Sequence, residues 1–151
     1  MELRNITYYN GTLAFVRYQD TSNVVDAVNI LFFATGVMIT LQLGTLTPPT
    51  IGPVRAIAMC DFIFCCVLNR YSNSENLQIW AELIIDQLLR LLFIYELVSE
   101  RKRELLLPTS DYDSVAIRGD KVVLWSMSSD ELTSISTWDS TSKTLKHFRS
   151  Q

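Results

Sequence analysis

SENLQIWAELIIDQLLRLLFIYELVSERKREL, residues 74–105, is the stretch from which the expected fold follows. Ser72 stands three residues before Glu75, which is the spacing of a capping box at a helix N-terminus. The basic run at 101–103 suits the last turn of a helix, where cations interact favourably with the macrodipole, and Pro108 prevents continuation. These signals predict one long central helix over residues 74–105.

The apolar residues of this stretch recur at alternating spacings of four and three, which is typical of one apolar seam along a helix. The seam consists of Leu77, Ala81, Ile84, Leu88, Leu91, Tyr95 and Val98. From 91 to 95 every residue is apolar, so the far end of the helix would need burial on several sides. A helix of roughly 45 Å, at 1.5 Å per residue, is long for such a chain. Either it is the centre of a monomeric core, or a second copy completes its burial.

Two hairpins are expected to flank the helices. Asn10-Gly11 is a strong turn signal within residues 4–18, because both positions tolerate a positive φ. A second hairpin is expected over 115–125 around Gly119-Asp120, with Arg118 opposite Lys121. In the first hairpin, the pairs expected on the core side are Tyr8 with Leu13 and Ile6 with Phe15.

Two further helices are expected, at about 21–36 and at 53–69, the second with Pro53 in its first turn. The predicted fold class is therefore α+β: a three-helix core with a long central helix, flanked by hairpins that could form one small antiparallel sheet. Residues 1–125 would be a single domain. The Ser- and Thr-rich segment 126–151 would be a short helix or a flexible tail.

Composition excludes several kinds of function. A net charge of −3 and a pI near 5.1 argue against nucleic acid as the main ligand. The chain has three cysteines, Cys60, Cys65 and Cys66, and an odd number argues against a disulfide framework. Residues 1–18 lack the apolar core of a signal peptide. We therefore expect a reducing, cytoplasmic location. Thiols at this spacing on a helix would diverge, so neither a metal nor a cofactor is predicted.

Catalytic groups are also sparse in the sequence. His147 is the only imidazole, and it lies in the segment expected to be mobile, far from any cysteine. Asp61, Glu82 and Asp86 have no spacing that requires acid–base work, and they fit a solvated or ion-paired helix face. Residues 118–120 read Arg-Gly-Asp, an integrin-type tripeptide, which we interpret as ordinary turn chemistry rather than as an adhesion motif. We therefore predict that the chain is not an enzyme, with carboxylate or Cys chemistry as a residual alternative.

The leading hypothesis is a non-enzymatic protein that self-associates as a dimer through its central helix. A small viral accessory or structural protein fits this profile. The alternative is a membrane-associated protein with up to three segments, 27–46, 53–69 and 77–98, against which buried charges such as Arg90 would count. The residues predicted to form the self-association interface are Trp80, Leu88, Leu91, Leu92, Tyr95 and Val98.

Overall fold

The computed structural model describes residues 2–18, 25–41, 51–71, 88–108, 112–128 and 131–149, and every helix or strand within these ranges is a β-strand. The strands are β1 (Glu2–Tyr9), β2 (Thr12–Tyr18), β3 (Val25–Phe32), β4 (Val37–Leu41), β5 (Ile51–Met59), β6 (Ile63–Tyr71), β7 (Leu88–Glu96), β8 (Lys102–Leu106), β9 (Ser114–Arg118), β10 (Lys121–Ser128), β11 (Glu131–Asp139) and β12 (Thr144–Arg149).

These strands form three antiparallel sheets of four strands each. Sheet 1 contains β1–β4, sheet 2 contains β5–β8 and sheet 3 contains β9–β12, and in each sheet the spatial order follows the chain. Every hydrogen-bonded pair of strands is therefore consecutive in the sequence. The predicted α+β fold is wrong, and the described chain is all-β.

Sheet 2 lies between the other two and is buried on both faces. On β6, Phe64 and Cys66 join a core shared with sheet 1, whereas the alternate residues Cys65 and Val67 join a core shared with sheet 3. All four are 0% exposed. Because successive side chains point to opposite faces, a strand covered on both sides reads as a continuous apolar run.

The same burial explains the error over the central helix. In its described part, residues 88–96 form β7 and residues 102–106 form β8, so the basic run borders and enters a strand rather than ending a helix. Leu91 and Tyr95 face the core shared with sheet 1, and Leu92 faces the core shared with sheet 3. The run at 91–95 needs burial on several sides, as predicted, but as a strand. Residues 72–87, with the expected helix start, lie outside the described ranges.

The other helix predictions are also wrong. The segment expected as a helix at 21–36 contains β3 and the turn before β4, apart from residues 21–24, which lie outside the described ranges. The segment at 53–69 contains most of β5 and β6. The short helix considered after residue 126 is β11, and β12 follows it in sheet 3. Apolar runs of this length do not distinguish a buried strand from a buried helix. The stretch without charges that follows Asp26, which contains most of β3 and all of β4, is ambiguous between strand and helix for the same reason.

The membrane alternative is likewise not supported. The described parts of its three segments lie in strands and turns of the three sheets, and the rest lies outside the described ranges. Within those ranges the chain has no helix with the length and hydrophobicity to cross a membrane.

Both predicted hairpins are confirmed. The β1–β2 turn has Asn10 at φ 47° and Gly11 at φ 80°. The other hairpin places Arg118 opposite Lys121 in β9 and β10. They belong to different sheets, however, so they do not join into one. The β1–β2 register is also confirmed, with Tyr8 opposite Leu13 and Ile6 opposite Phe15.

The face of the first hairpin that packs in the core was predicted wrongly. Tyr8 is 61% exposed and Ile6 is 59% exposed, whereas Ala14 and Val16 are fully buried against sheet 2. Both faces of this hairpin are apolar, so alternation alone does not identify the buried one.

The first strands of the three sheets come together. β5 contacts both β1 and β9, and within the described ranges each of the three pairs with one neighbouring strand. The stacking of the sheets therefore brings three strands that are distant in sequence to one side of the molecule.

Candidate functional site

A cavity of about 500 Å³ opens where the ends of β1, β5 and β9 converge. We call it the inner cleft, and it draws residues from each of the three sheets. Its lining residues are Thr7, Tyr9, Ile57, Ala58, Met59, Cys60, Asp61, Phe62, Val115, Ala116, Ile117, Arg118 and Gly119. A volume of this size lies within the usual range for ligand sites.

Three hairpin turns bound the mouth of the inner cleft. The β5–β6 turn is closed by a hydrogen bond from the Cys60 N–H to the Ile63 carbonyl, 2.9 Å long. Asn10 Nδ2 donates to Asp61 Oδ1 at 3.3 Å, which links the first turns of sheets 1 and 2. Gly119, at φ 63°, provides the positive φ that the β9–β10 turn requires. Local turn chemistry shapes each turn, and the stacking of the three sheets places the three ends beside one another.

The inner cleft combines backbone, aromatic and charged groups. The unpaired edges of strands carry free N–H and C=O groups that can bind another chain. Tyr9 is 43% exposed and Phe62 is 38% exposed, so both present aromatic surface at the mouth. Asp61 and Arg118 are exposed there and carry opposite charges. This set of groups can bind an extended segment that has its own backbone groups and mixed side chains.

The residues predicted as a self-association interface do not share one surface. Leu91, Leu92 and Tyr95 are buried within this chain on opposite faces of β7, and Val98 is 87% exposed in the β7–β8 turn. Leu88 begins β7, and Trp80 lies outside the described residues. The helical surface proposed for a dimer is not present in the described chain, so that hypothesis, with its viral accessory profile, is not supported.

The three cysteines are free thiols. Burial raises the pKa of Cys65 and of Cys66 well above the ordinary range, so both remain protonated and unreactive. Cys60 is partly exposed and borders the inner cleft. Within the described residues, no three His, Cys, Asp or Glu side chains are grouped so that they could hold a metal ion.

His147 has a partner that its sequence context did not indicate. Its Nδ1 lies 2.8 Å from Ser136 Oγ, and Ser136 Oγ lies 2.5 Å from the Tyr112 hydroxyl. A Ser–His contact is the geometry that nucleophilic catalysis uses. Ser136 is 0% exposed, however, and is engaged on both sides. We interpret this chain of hydrogen bonds as structural, and Arg90 extends it by donating to the Tyr112 carbonyl.

A second cavity, of about 260 Å³, lies at the junction of sheets 2 and 3 and includes Glu96. Lys143 Nζ is 2.8 Å from Glu96 Oε1, Ser99 Oγ donates to Oε2 at 2.6 Å, and Arg103 Nε is 3.6 Å away. The hydrogen bonds from Lys143 and Ser99 lower the pKa of Glu96 to about 2. Because Lys143, Ser99 and Arg103 already surround this carboxylate, we interpret it as an ionic link between sheets 2 and 3.

Sequence reasoning missed most of the inner cleft, although it noted Arg118 and Asp61 for other reasons. The available signal was the spacing of the turns: Gly11, Asp61 and Gly119 stand roughly 50–60 residues apart, near the repeat length of some blade-like architectures. No residue pattern repeats with that spacing, so the signal was weak.

No protein-family model matches the chain, and no curated protein matches it. Among solved structures, the chain is similar to the β-propeller domain of the Trilobed protease from Pyrococcus furiosus, with a TM-score of 0.59 and 12% sequence identity. The match covers 99% of this chain and 42% of that chain. At this identity the likeness shows the fold alone: three four-stranded antiparallel sheets that resemble part of a β-propeller domain. This chain spans less than half the length of that domain.

Proposed function

We propose that this chain is a non-enzymatic binding module that takes an extended peptide at the inner cleft. The observation that carries the proposal is the convergence of three strand edges, from β1, β5 and β9, on one cavity with charged and aromatic groups at its mouth. In a propeller-like arrangement, these first strands would line the central channel. The inner cleft is then the mouth of that channel.

Backbone pairing supports a peptide as the ligand. Among the described strands, each of these three pairs with one neighbour, so a peptide could pair along the other edge where it borders the inner cleft. A peptide that adds along such an edge gains affinity from main-chain hydrogen bonds and specificity from side-chain pockets. Ile57 and Ile117 line the walls and would contact its apolar side chains.

The charges at the mouth support a peptide that carries both signs. Asp61 would attract a Lys or Arg of the ligand, and Arg118 would attract an Asp or Glu. Because both side chains are exposed, such ion pairs contribute on the order of 0.2–1 kcal/mol each and weaken with added salt. They would mainly select and orient the ligand, whereas contacts with Tyr9 and Phe62 would contribute more of the affinity.

The test is selection of short linear peptides from a displayed random library, followed by titration of the selected peptides against variants. We expect Arg118→Glu to weaken binding by about two- to fivefold, the equivalent of one exposed ion pair. This variant should fold, because it replaces the like-charge pair with Lys121 by an opposite-charge pair. Arg101→Glu, at an exposed position in the β7–β8 connection, is the matched control and should leave affinity unchanged.

Failure to select any peptide would contradict the proposal. So would peptides that bind the two charge variants equally well, because they would then bind elsewhere on the chain.

A further inference from the structure

The asparagine beside the mouth of the inner cleft is followed by a glycine. Asn10 is the only asparagine of the chain with this neighbour, and it is exposed at the tip of the β1–β2 turn. Its side-chain amide also donates to Asp61 Oδ1 at 3.3 Å, which links sheet 1 to sheet 2. A chemical change of this amide would therefore act on a contact between two sheets.

The backbone nitrogen of Gly11 is placed to attack the Asn10 side chain. Such an attack on Cγ closes a succinimide ring, and bulk on the following residue hinders the approach. Gly11 has no side chain, and no atom beyond the adjacent residues lies within 4 Å of where a Cβ would stand. Asn5 provides the contrast on the same strand. Its φ of 57° is close to the 47° of Asn10, but the branched side chain of Ile6 follows it.

We propose that Asn10 is a site of spontaneous deamidation, with water as the co-reactant. The Gly11 nitrogen bonds to Asn10 Cγ, the bond from Cγ to Nδ2 breaks, and the proton of the Gly11 nitrogen leaves with the amide as ammonia. Water then opens the succinimide. Hydrolysis at Cγ gives aspartate, and hydrolysis at the backbone carbonyl carbon gives isoaspartate. Nothing is oxidised or reduced, and each product carries a new carboxylate.

The Tyr8 hydroxyl slows this reaction. The Gly11 N–H donates to Tyr8 Oη at 3.0 Å. The nitrogen must give up this hydrogen bond before it loses its proton to solvent and reaches Cγ. The Tyr8 ring contacts the Phe33 ring, with centroids 6.1 Å apart, and this contact keeps the hydroxyl near the turn. The fold therefore slows a reaction that the local sequence favours.

Deamidation changes the mouth of the inner cleft in two ways. It replaces the donor to Asp61 with a carboxylate, so an attraction between sheets 1 and 2 becomes a repulsion between like charges. It also places a new negative charge beside Asp61. This second effect rests on the proposed function: the modified chain should prefer peptides that carry more Lys or Arg.

The first test follows deamidation in the folded 151-residue chain at mildly alkaline pH, with peptide mapping by mass spectrometry. We expect Asn10 to convert to a mixture of aspartate and isoaspartate well ahead of Asn5, which is the matched control within the same molecule. Tyr8→Phe keeps the ring and removes the hydroxyl. It should raise the rate at Asn10 by about two- to tenfold, the equivalent of one net hydrogen bond.

Two outcomes of this test count against the inference. Conversion at Asn10 no faster than at Asn5 would overturn it. A rate at Asn10 that Tyr8→Phe leaves unchanged or lowers would overturn the role of the Tyr8 hydroxyl.

The second test measures the consequence with Asn10→Asp. The hairpin should still form, because aspartate also tolerates a positive φ. We expect a lower urea midpoint than in the wild type, and added salt should reduce the difference. Combining Asn10→Asp with Asp61→Asn replaces the repulsion by a donor and an acceptor, so it should recover the midpoint. A midpoint that Asn10→Asp leaves unchanged would contradict the loss of a link between the sheets.

Neither measurement uses a ligand, so this inference and the proposed function fail separately. An Asn10 that does not convert overturns the inference and leaves peptide binding intact. Failure to select any peptide contradicts the proposed function and leaves deamidation at Asn10 standing.

Discussion

Sheets 2 and 3 have the same four-stranded topology but are stabilised by different interactions. Sheet 2 is covered on both faces, and its strand β6 presents only apolar side chains to the two cores. In the part of the chain that the structure describes, sheet 3 has one covered face, and there the buried Ser136 hydroxyl bonds to Tyr112 and His147. The comparison shows that burial of a strand on both faces removes the alternation of apolar and polar residues from its sequence. Burial on one face leaves room for hydrogen bonds and ion pairs.

The largest expected effect concerns the apolar burial of sheet 2. Leu92 is 0% exposed between sheets 2 and 3, so Leu92→Ala would lose its transfer free energy and leave a cavity. We expect a fall of about 2–5 kcal/mol in the free energy of unfolding, measured by urea denaturation. Leu106→Ala, on the adjacent strand β8 with its side chain 59% exposed, should change it by less than about 0.5 kcal/mol. Similar losses for the two variants would mean that sheet 2 is not the buried centre.

A smaller effect is expected from the hydrogen-bond chain of sheet 3. Ser136→Ala removes the partner of the Tyr112 hydroxyl, which is buried with 1% exposure. We expect a cost of about 1–3 kcal/mol, because a buried polar group is left without a partner.

Two further variants sharpen this prediction for Ser136. Tyr112→Phe should cost less, about 0.5–1.5 kcal/mol, since it removes the buried Tyr112 hydroxyl rather than leaving that hydroxyl unsatisfied. Ser142→Ala breaks an exposed hydroxyl pair with Thr144 and should have little effect. If Ser136→Ala were as mild as Ser142→Ala, polar contacts would not distinguish sheet 3 from sheet 2.

The same contrast explains which parts of the fold could be predicted. The turns at Asn10-Gly11 and Gly119-Asp120 depend on positive φ at particular residues, which is local chemistry, and both hairpins were placed correctly. The runs at 63–68 and 91–95 depend on which sheets cover them. An apolar run has the same appearance in a helix buried all round and in a strand buried on both faces.

The inner cleft was less predictable than the fold. Tyr9, Asp61 and Arg118 belong to three hairpins far apart in the sequence, and their approach depends on the stacking of three sheets. Each residue looked ordinary in its own turn. The contact between Ser136 and His147 was missed for a similar reason, because it depends on the pairing of β11 with β12.

The smallest expected effect lies at the junction of sheets 2 and 3, where Lys143 bonds Glu96. The pKa of Glu96 is lowered to about 2 in the folded chain from an ordinary 4.5. A carboxyl with a depressed pKa contributes stability above its unfolded pKa and loses that contribution as the pH falls through the folded value. We therefore expect stability to decline between about pH 5 and pH 2, with Glu96 accounting for about 1 kcal/mol or less because the pair is partly exposed.

The measurement for Glu96 is the urea midpoint at several pH values, for the wild type and for Glu96→Gln. The amide cannot ionise, so this variant should be less stable near neutral pH and should approach the wild type near pH 2, below about which both carry a neutral side chain. Asp139 also has a pKa lowered to about 2, through its bond to Lys121 within sheet 3. Asp139→Asn therefore serves as the matched control, since it removes a carboxylate that titrates in the same range but does not join two sheets. If the difference in urea midpoint between Glu96→Gln and the wild type stays constant with pH, Glu96 acts through packing. The interpretation of Glu96 as an ionic link between sheets 2 and 3 would then be wrong.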